Sequence, residues 1–401
     1  MIVLLGFRRI RWWRWQGAAA LCAAAMAAAC GVTATNGGPG PGTPASPRSR
    51  VPKAGSPGPS LVFGYRLNSV AAVSAGSAWA VGLSHLGAVH VLGWDGRAWR
   101  QVPAPGVGDF YGVAALSAAD GWAVGYGPGG SQPLIEHWNG RAWTQVATPG
   151  TVGPAILRAV AAISPVDAWA VGGTTTPAGH AVILRWNGTA WTRVSSTTTP
   201  PGNSSELNGV AAVSATSAWA VGDTTTTTQR IPLIEHWNGT AWRQVPSPAL
   251  RFGGVLTGVA ATSATNAWAV GVRTGARGTG GLIEHWNGTT WTLVPSPGLA
   301  RGGLAGVSAL SGTSAWAVGG TVDRSRGPVT VIERWNGTSW ALVPSPAVGY
   351  LASVTATSAR NAWAVGVSAF APSATGVIEH WNGASWTCYT STGTAGPCPG
   401  A

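Results

Sequence analysis

Twenty-four tryptophans punctuate this 401-residue chain, and 21 of them fall into seven sets of three. The sets are Trp79/Trp94/Trp99, Trp122/Trp138/Trp143, Trp169/Trp186/Trp191, Trp219/Trp237/Trp242, Trp268/Trp286/Trp291, Trp316/Trp335/Trp340 and Trp363/Trp381/Trp386. Successive sets are 43 to 50 residues apart. A period of that size present seven times marks an array of supersecondary units, none of which buries its apolar face alone. Such a chain forms a closed repeat array. It does not build a single irregular core.

Aligned on the tryptophans, the units share L-x-x-V-A-A-x-S-A-x-x-A-W-A-V-G, a variable stretch, and L-I-E-H-W-N-G-T-A-W-x-x-V-P-S-P. The unit beginning at Leu207 contains four runs of β-formers, at 207–213, 218–221, 233–237 and 241–245, bounded by Gly, Asn, Ser and Pro. Such runs read as short strands joined by turns. Asn-Gly, which tolerates the positive φ of tight hairpins, recurs at Asn139, Asn187, Asn238, Asn287, Asn336 and Asn382, with Asp95-Gly96 in the first unit. Four antiparallel strands in each of seven units predict an all-β fold, a seven-bladed β-propeller. The sequons at Asn187, Asn238, Asn287 and Asn336 are by-products of the N-G-T turn. The repeated Trp, Val and Ala are expected to be core, with large rings wedged between blades.

Two stretches, Ala-Trp-Ala-Val-Gly-Gly at 315–320 and Ile-Glu-Arg-Trp-Asn-Gly-Thr-Ser-Trp at 332–340, resemble the kelch and galactose-oxidase-like propellers in their Gly pair, aromatic and later Trp. The double Gly survives only at Gly172-Gly173 and Gly319-Gly320. The N-G-x-x-W stretch is also similar to an Asp-box turn without its leading Ser. The resemblance covers about 330 residues. It implies architecture and says little about activity.

Residues 1–30 read as an export signal. Arg8, Arg9, Arg11 and Arg14 precede an Ala-rich apolar run, 17–29, that is too short for a membrane span. The run ends in Ala27-Ala28-Ala29-Cys30-Gly31, which resembles a bacterial lipobox with Ala27 in place of the usual Leu. Cys30 is then the acylated residue; the alternative is cleavage after an A-x-A site with Cys30 incidental. Arg8-Arg9 also resembles a twin-arginine signal. Residues 31–60, rich in Pro, Gly, Ser and Thr, are expected to be a disordered tether. The propeller is expected over 61–390, and a tail over 391–401. Export permits a disulfide between Cys388 and Cys398 that clips this tail.

The net charge of +12 is largely N-terminal. Seven basic residues precede the repeats, and without them 17 Arg stand against 12 acids, too mild an excess for a nucleic-acid partner. The spacings distribute the remainder. The first-strand Leu or Phe to the first Trp is always 12 residues, and the second Trp to the third always 5. First to second varies from 15 to 19, and third to the next first from 23 to 28. The 1–2 and 3–4 hairpins are therefore fixed in length, whereas the 2–3 and 4–1 loops vary and emerge together on the opposite face. Loops on a rigid scaffold are where binding usually resides.

Nine Arg lie at or beside variable segments: Arg66, Arg158, Arg230, Arg251, Arg273, Arg277, Arg301, Arg324 and Arg326. Asp109, Glu206, Asp223 and Asp323 stand against them. The candidate binding residues are Arg251, Arg273, Arg277, Arg301, Arg324 and Arg326, from units four to six, with Phe252, Tyr350 and Phe370. Arg forks with aromatics suit anionic or glycan ligands. The expected function is a non-enzymatic, exported, monomeric binding or scaffold propeller. Its partner is a protein or an anionic envelope polysaccharide; its contact with the membrane is through the lipid anchor only, and no cofactor or metal is expected. A lectin using open inter-blade Trp pockets is one alternative. A galactose-oxidase-like enzyme using Cys388 beside Tyr389 is another. The Glu-His pairs at Glu136-His137, Glu235-His236, Glu284-His285 and Glu379-His380 suggest metal ligands, but Arg185 and Arg334 replace His in two units. A substitutable position reads as structural hydrogen bonding.

Overall fold

The computed structural model describes residues 66–389 apart from 84–88, 197–198, 277, 298–300, 324–326, 348 and 369–373, together with 393–396 and 398. The signal segment, the tether and Cys30 lie outside the described residues. Seven four-stranded antiparallel sheets form seven blades, over 66–101, 109–145, 155–194, 204–244, 254–293, 303–342 and 350–389. Each sheet takes its four strands in chain order from one repeat unit. In blade 4 these are Ser204–Ser214, Ser217–Thr225, Arg230–Trp237 and Trp242–Gln244. The second and third strands run further toward the variable loops than their apolar cores suggest, because backbone pairing continues through Asp223↔Pro232 to Thr225↔Arg230.

The tryptophans join the blades. The first Trp of each blade sits on its second strand and packs on the second and third Trp of the next blade. Trp219 lies 5.0 Å from Trp286, tilted 57°, and 5.1 Å from Trp291 at 89°. Trp363 repeats this geometry across the ring closure, 4.9 Å and 57° from Trp94 and 5.1 Å and 88° from Trp99. Edge-to-face packing of this kind adds about 0.5–1.5 kcal/mol per pair beyond area burial.

Among the described residues, closure uses no strand exchanged between the chain ends. Leu67, Leu92 and Trp99 of blade 1 form one buried cluster with Trp363, Val365 and Ile378 of blade 7, and Tyr389 packs at its edge. The tail then crosses the seam: the Trp99 amide donates to the Gly393 carbonyl at 3.1 Å, and Ala395 bridges to Tyr389. The Cys388–Cys398 disulfide, with Cα atoms 5.1 Å apart, secures this crossing.

Two details differ from the sequence expectation. The Asn-Gly turn is a four-residue loop, since Trp138 pairs with Trp143. Asn139 Oδ1 accepts from the amides of Arg141 and Ala142 at 3.0 Å, and Gly140 takes φ 88°. The Asn side chain thus holds the turn as an Asx motif. Second, the first strand of every blade carries a bulge. Leu207 pairs with Gly222 and Gly209 with Val221, so Asn208 is skipped. A Cβ on Gly222 would lie 2.0 Å from the Glu206 carbonyl oxygen, which is why the Gly of A-W-A-V-G recurs in all seven units. The skipped residue of each blade lines the axial channel.

Candidate functional site

The bulge sets what the axis displays. The seven skipped residues are Asn68, Tyr111, Arg158, Asn208, Thr257, Ala305 and Ala352, lining a central channel of about 240 Å³. Asn68, Asn208 and Thr257 hydrogen-bond the carbonyls of Phe110, Leu256 and Leu304 on the following blade at 2.7–3.0 Å. They tie the innermost strands together. Tyr111 and Arg158 break that pattern, and charge gathers around them.

Arg66 pairs with fully buried Asp109, which also accepts from Asn68 at 2.9 Å. Burial pushes the Asp109 carboxyl up, against the pull of Arg66 and Asn68. The Arg158 guanidinium lies 4.8 Å from the centre of the Tyr111 ring and 3.6 Å from Glu206. Arg230 then bridges Glu206 at 3.1 Å and Asp223 at 2.7 Å. Burial likewise pushes the Asp223 carboxyl up, with Arg230 opposing. The sequence missed this network. Arg66, Arg158 and Arg230 belonged to its basic face, yet each is ion-paired. The signal lay in the acids: three of the four assigned to that face sit one residue before, or one after, invariant strand positions.

The predicted Arg cluster is partly assembled. Arg251, Phe252 and Arg273 line one open groove of about 460 Å³ where the segment leading into blade 5 meets that blade, with Thr274, Gly275 and Thr279 also lining it. The Arg251 guanidinium stacks 5.0 Å from the Phe252 ring centre, and that ring is 41% exposed. Arg251, Arg273 and Arg301 are exposed, and none makes an ion pair among the described residues. Tyr350 does not join them. Its ring fills the space a Cβ on Gly320 would take, at 2.3 Å, so it is a half-buried packing residue between blades 6 and 7. Arg277, Arg324, Arg326 and Phe370 lie outside the described residues.

The Glu-His positions are structural. His137, His236, His285 and His380 stack on the first Trp of their own blade at 4.2–4.3 Å, and Arg185 and Arg334 take the same place at 5.0 Å. A planar cation or imidazole serves equally, which explains the interchange. His285 and His380 also hydrogen-bond Asn266 and Asn361 at 2.8 Å. The preceding glutamates are fully buried and reach the blade before. Glu235, Glu284, Glu333 and Glu379 accept from Ser196, Ser247, Ser296 and Ser345 at 2.6–2.9 Å. Burial raises Glu136, Glu284 and Glu379 to about 7. Among the described residues no three His, Cys, Asp or Glu converge as a metal site.

The first and third Trp of each blade are at most 6% exposed, their faces covered by neighbouring rings, so the spaces around these rings are filled rather than open. Cys388 is committed to its disulfide and is not free to link to a tyrosine.

The architecture is that of other propellers. A structure of YCF48 bound to a D1 peptide superposes with TM-score 0.51 at 15% identity, covering 77% of this chain and 90% of that one. A GH74 xyloglucanase from Xanthomonas campestris gives 0.53 at 14%, covering 81% and 55%. A PL25 ulvan lyase bound to -[GlcA(1-4)Rha3S]- gives 0.56 at 10%, covering 83% and 99%. These three neighbours are not specifically kelch or galactose-oxidase propellers, and at these identities the likeness is of fold alone. No protein-family model matches the sequence. No curated protein matches it either.

Proposed function

We propose that this chain is a non-enzymatic binding propeller, held outside the cytoplasmic membrane, that engages an anionic ligand through its variable-loop face. The observation that carries the reading is the groove of Arg251, Phe252 and Arg273. Two guanidinium groups without acidic partners among the described residues share the groove with an exposed ring. That combination supplies forked donors for carboxylate or phosphate and a flat apolar surface beside them. Peptide and polysaccharide ligands both occur on propellers of this architecture. The Glu206 and Asp223 carboxylates are bridged by Arg230, which occupies oxygens that hydrolysis would need.

The test uses immobilised polygalacturonate and polyglutamate as probes of the two anionic classes. The propeller should bind one of them, more weakly as salt rises. The Arg251→Ser/Arg273→Ser double variant should lose that binding while keeping its fold. No binding to either probe, or undiminished binding by the variant, overturns the proposal. The anchoring part has its own readout. Cys30→Ser should release the protein from membranes into the medium; retention on the membrane removes the lipid from the account.

A further inference from the structure

We propose that the pocket between blades 3 and 4 is a second binding site, one that takes the vicinal hydroxyls of a neutral sugar residue. It does not depend on the arginine groove.

The pocket has a volume of about 370 Å³, in the range of small-ligand sites. Arg158, Glu206, Asp223 and Arg230 line it, with the exposed Thr175 and Thr176 along one wall. The repeat supplies an internal control for what the scaffold requires. At the place of Asp223 the other six blades carry Leu83, Tyr126, Gly173, Val272, Gly320 and Val367. At the place of Arg158 they carry Asn68, Tyr111, Asn208, Thr257, Ala305 and Ala352. Six blades fold the same way without an acid at the first position, and six without a guanidinium at the second. Yet Asp223 is 1% exposed, and burying a carboxylate costs several kcal/mol before its partners offset it. A scaffold has no reason to retain that charge.

The chemistry points to a polyol. Two guanidinium groups and two carboxylates sum to zero, so the site favours neither an anion nor a cation. It does present donors and acceptors side by side: Arg230 donates to Glu206 at 3.1 Å, and the Arg158 guanidinium stands 3.6 Å from the same carboxylate. A vicinal diol is a donor and an acceptor on adjacent carbons and matches that alternation. The bulge aims Arg158 here, and its Nε is buried with no hydrogen-bond partner among the described residues. The threonine wall adds hydroxyls that donate or accept as required. Both carboxylates are tied to Arg230, so the site binds without cleaving.

Saturation-transfer NMR on the folded propeller with methyl glycosides of glucose, galactose, mannose, rhamnose and arabinose tests this. At least one should show transfer that high salt does not remove. Glu206→Gln and, separately, Thr175→Val/Thr176→Val should each weaken it about tenfold. The threonine pair is exposed, so its variant keeps the fold even where the Glu206 variant does not. Arg251→Ser/Arg273→Ser should leave it unchanged, which separates this site from the groove. Absence of transfer from all five glycosides overturns the proposal. So does transfer that survives both pocket variants, since the sugar then sits elsewhere.

Discussion

The buried glutamates show how one side chain couples two blades. Each lies on a third strand and accepts a hydrogen bond from the turn that closes the blade before it; for Glu136 the donor is the Gly106 amide at 2.6 Å. Burial raises three of them to about 7, from an ordinary value near 4.5. A carboxyl whose pKa is higher in the fold than in the unfolded chain gives stability that is complete below about 4.5. That stability is lost as pH rises through about 7. Glutamine mimics the protonated acid. Glu284→Gln should therefore raise the melting temperature at pH 8.5, by the equivalent of about 1–3 kcal/mol, and leave it unchanged at about pH 4. Thermal melts of both proteins at the two pH values decide it; a pH-independent difference would mean that Glu284 is ionised in the fold. Burial lowers His236, His285 and His380, so their contribution runs the other way and is lost as pH falls below about 6.5. Comparing each variant with the parent at one pH cancels that background.

At the scale of the element, the bulge carries the most information. It forces Gly at the end of A-W-A-V-G and turns one residue per blade into the channel. Gly222→Ala would drive a methyl to 2.0 Å from the Glu206 carbonyl, a contact the paired strands cannot relax. The loss should reach about 3 kcal/mol or more, measured by chemical denaturation, against about 1 kcal/mol for Asn238→Ala in the exposed Asx turn. Equal costs would show that the bulge yields. The same bulge explains why Asn68 and Asn208 serve the scaffold whereas Arg158 does not: the former tie to the next blade's carbonyls, the latter faces the Glu206 carboxylate.

Across the whole molecule, the weak point is the seam between blade 7 and blade 1. Leu92 stands there in place of the Glu that reaches the preceding blade in five units, as Leu184 does in blade 3, and among the described residues no strand crosses the seam. The tail compensates through Gly393 and the disulfide. By loop-closure entropy, a bridge between residues ten apart stabilises by about 2–3 kcal/mol. Cys398→Ser, or reduction, should lower the melting temperature accordingly. It should also speed amide exchange at Trp99 more than at the equivalent Trp242, which no tail covers. Uniform acceleration around the ring would mean that the disulfide acts on global stability alone.

The period of the tryptophans carried the blade number, the strand count and the division into a fixed and a variable face, because each of these is a spacing along the chain. Burial of the rings, the structural role of the His and Arg before the second Trp, and the disulfide pairing were legible for the same reason: they are local or recur seven times. The grouping of charges was not. Arg66 with Asp109, and Arg158 with Glu206 and Arg230, are brought together by neighbouring blades, 43 and 48 residues apart in the chain for the first two pairs. Only the closure of the ring and the bulge that turns each side chain inward decide which arginines are neutralised and which stay bare. Spacing places nine arginines on one face; tertiary contact commits three of them to ion pairs and leaves Arg251 and Arg273 exposed without one among the described residues.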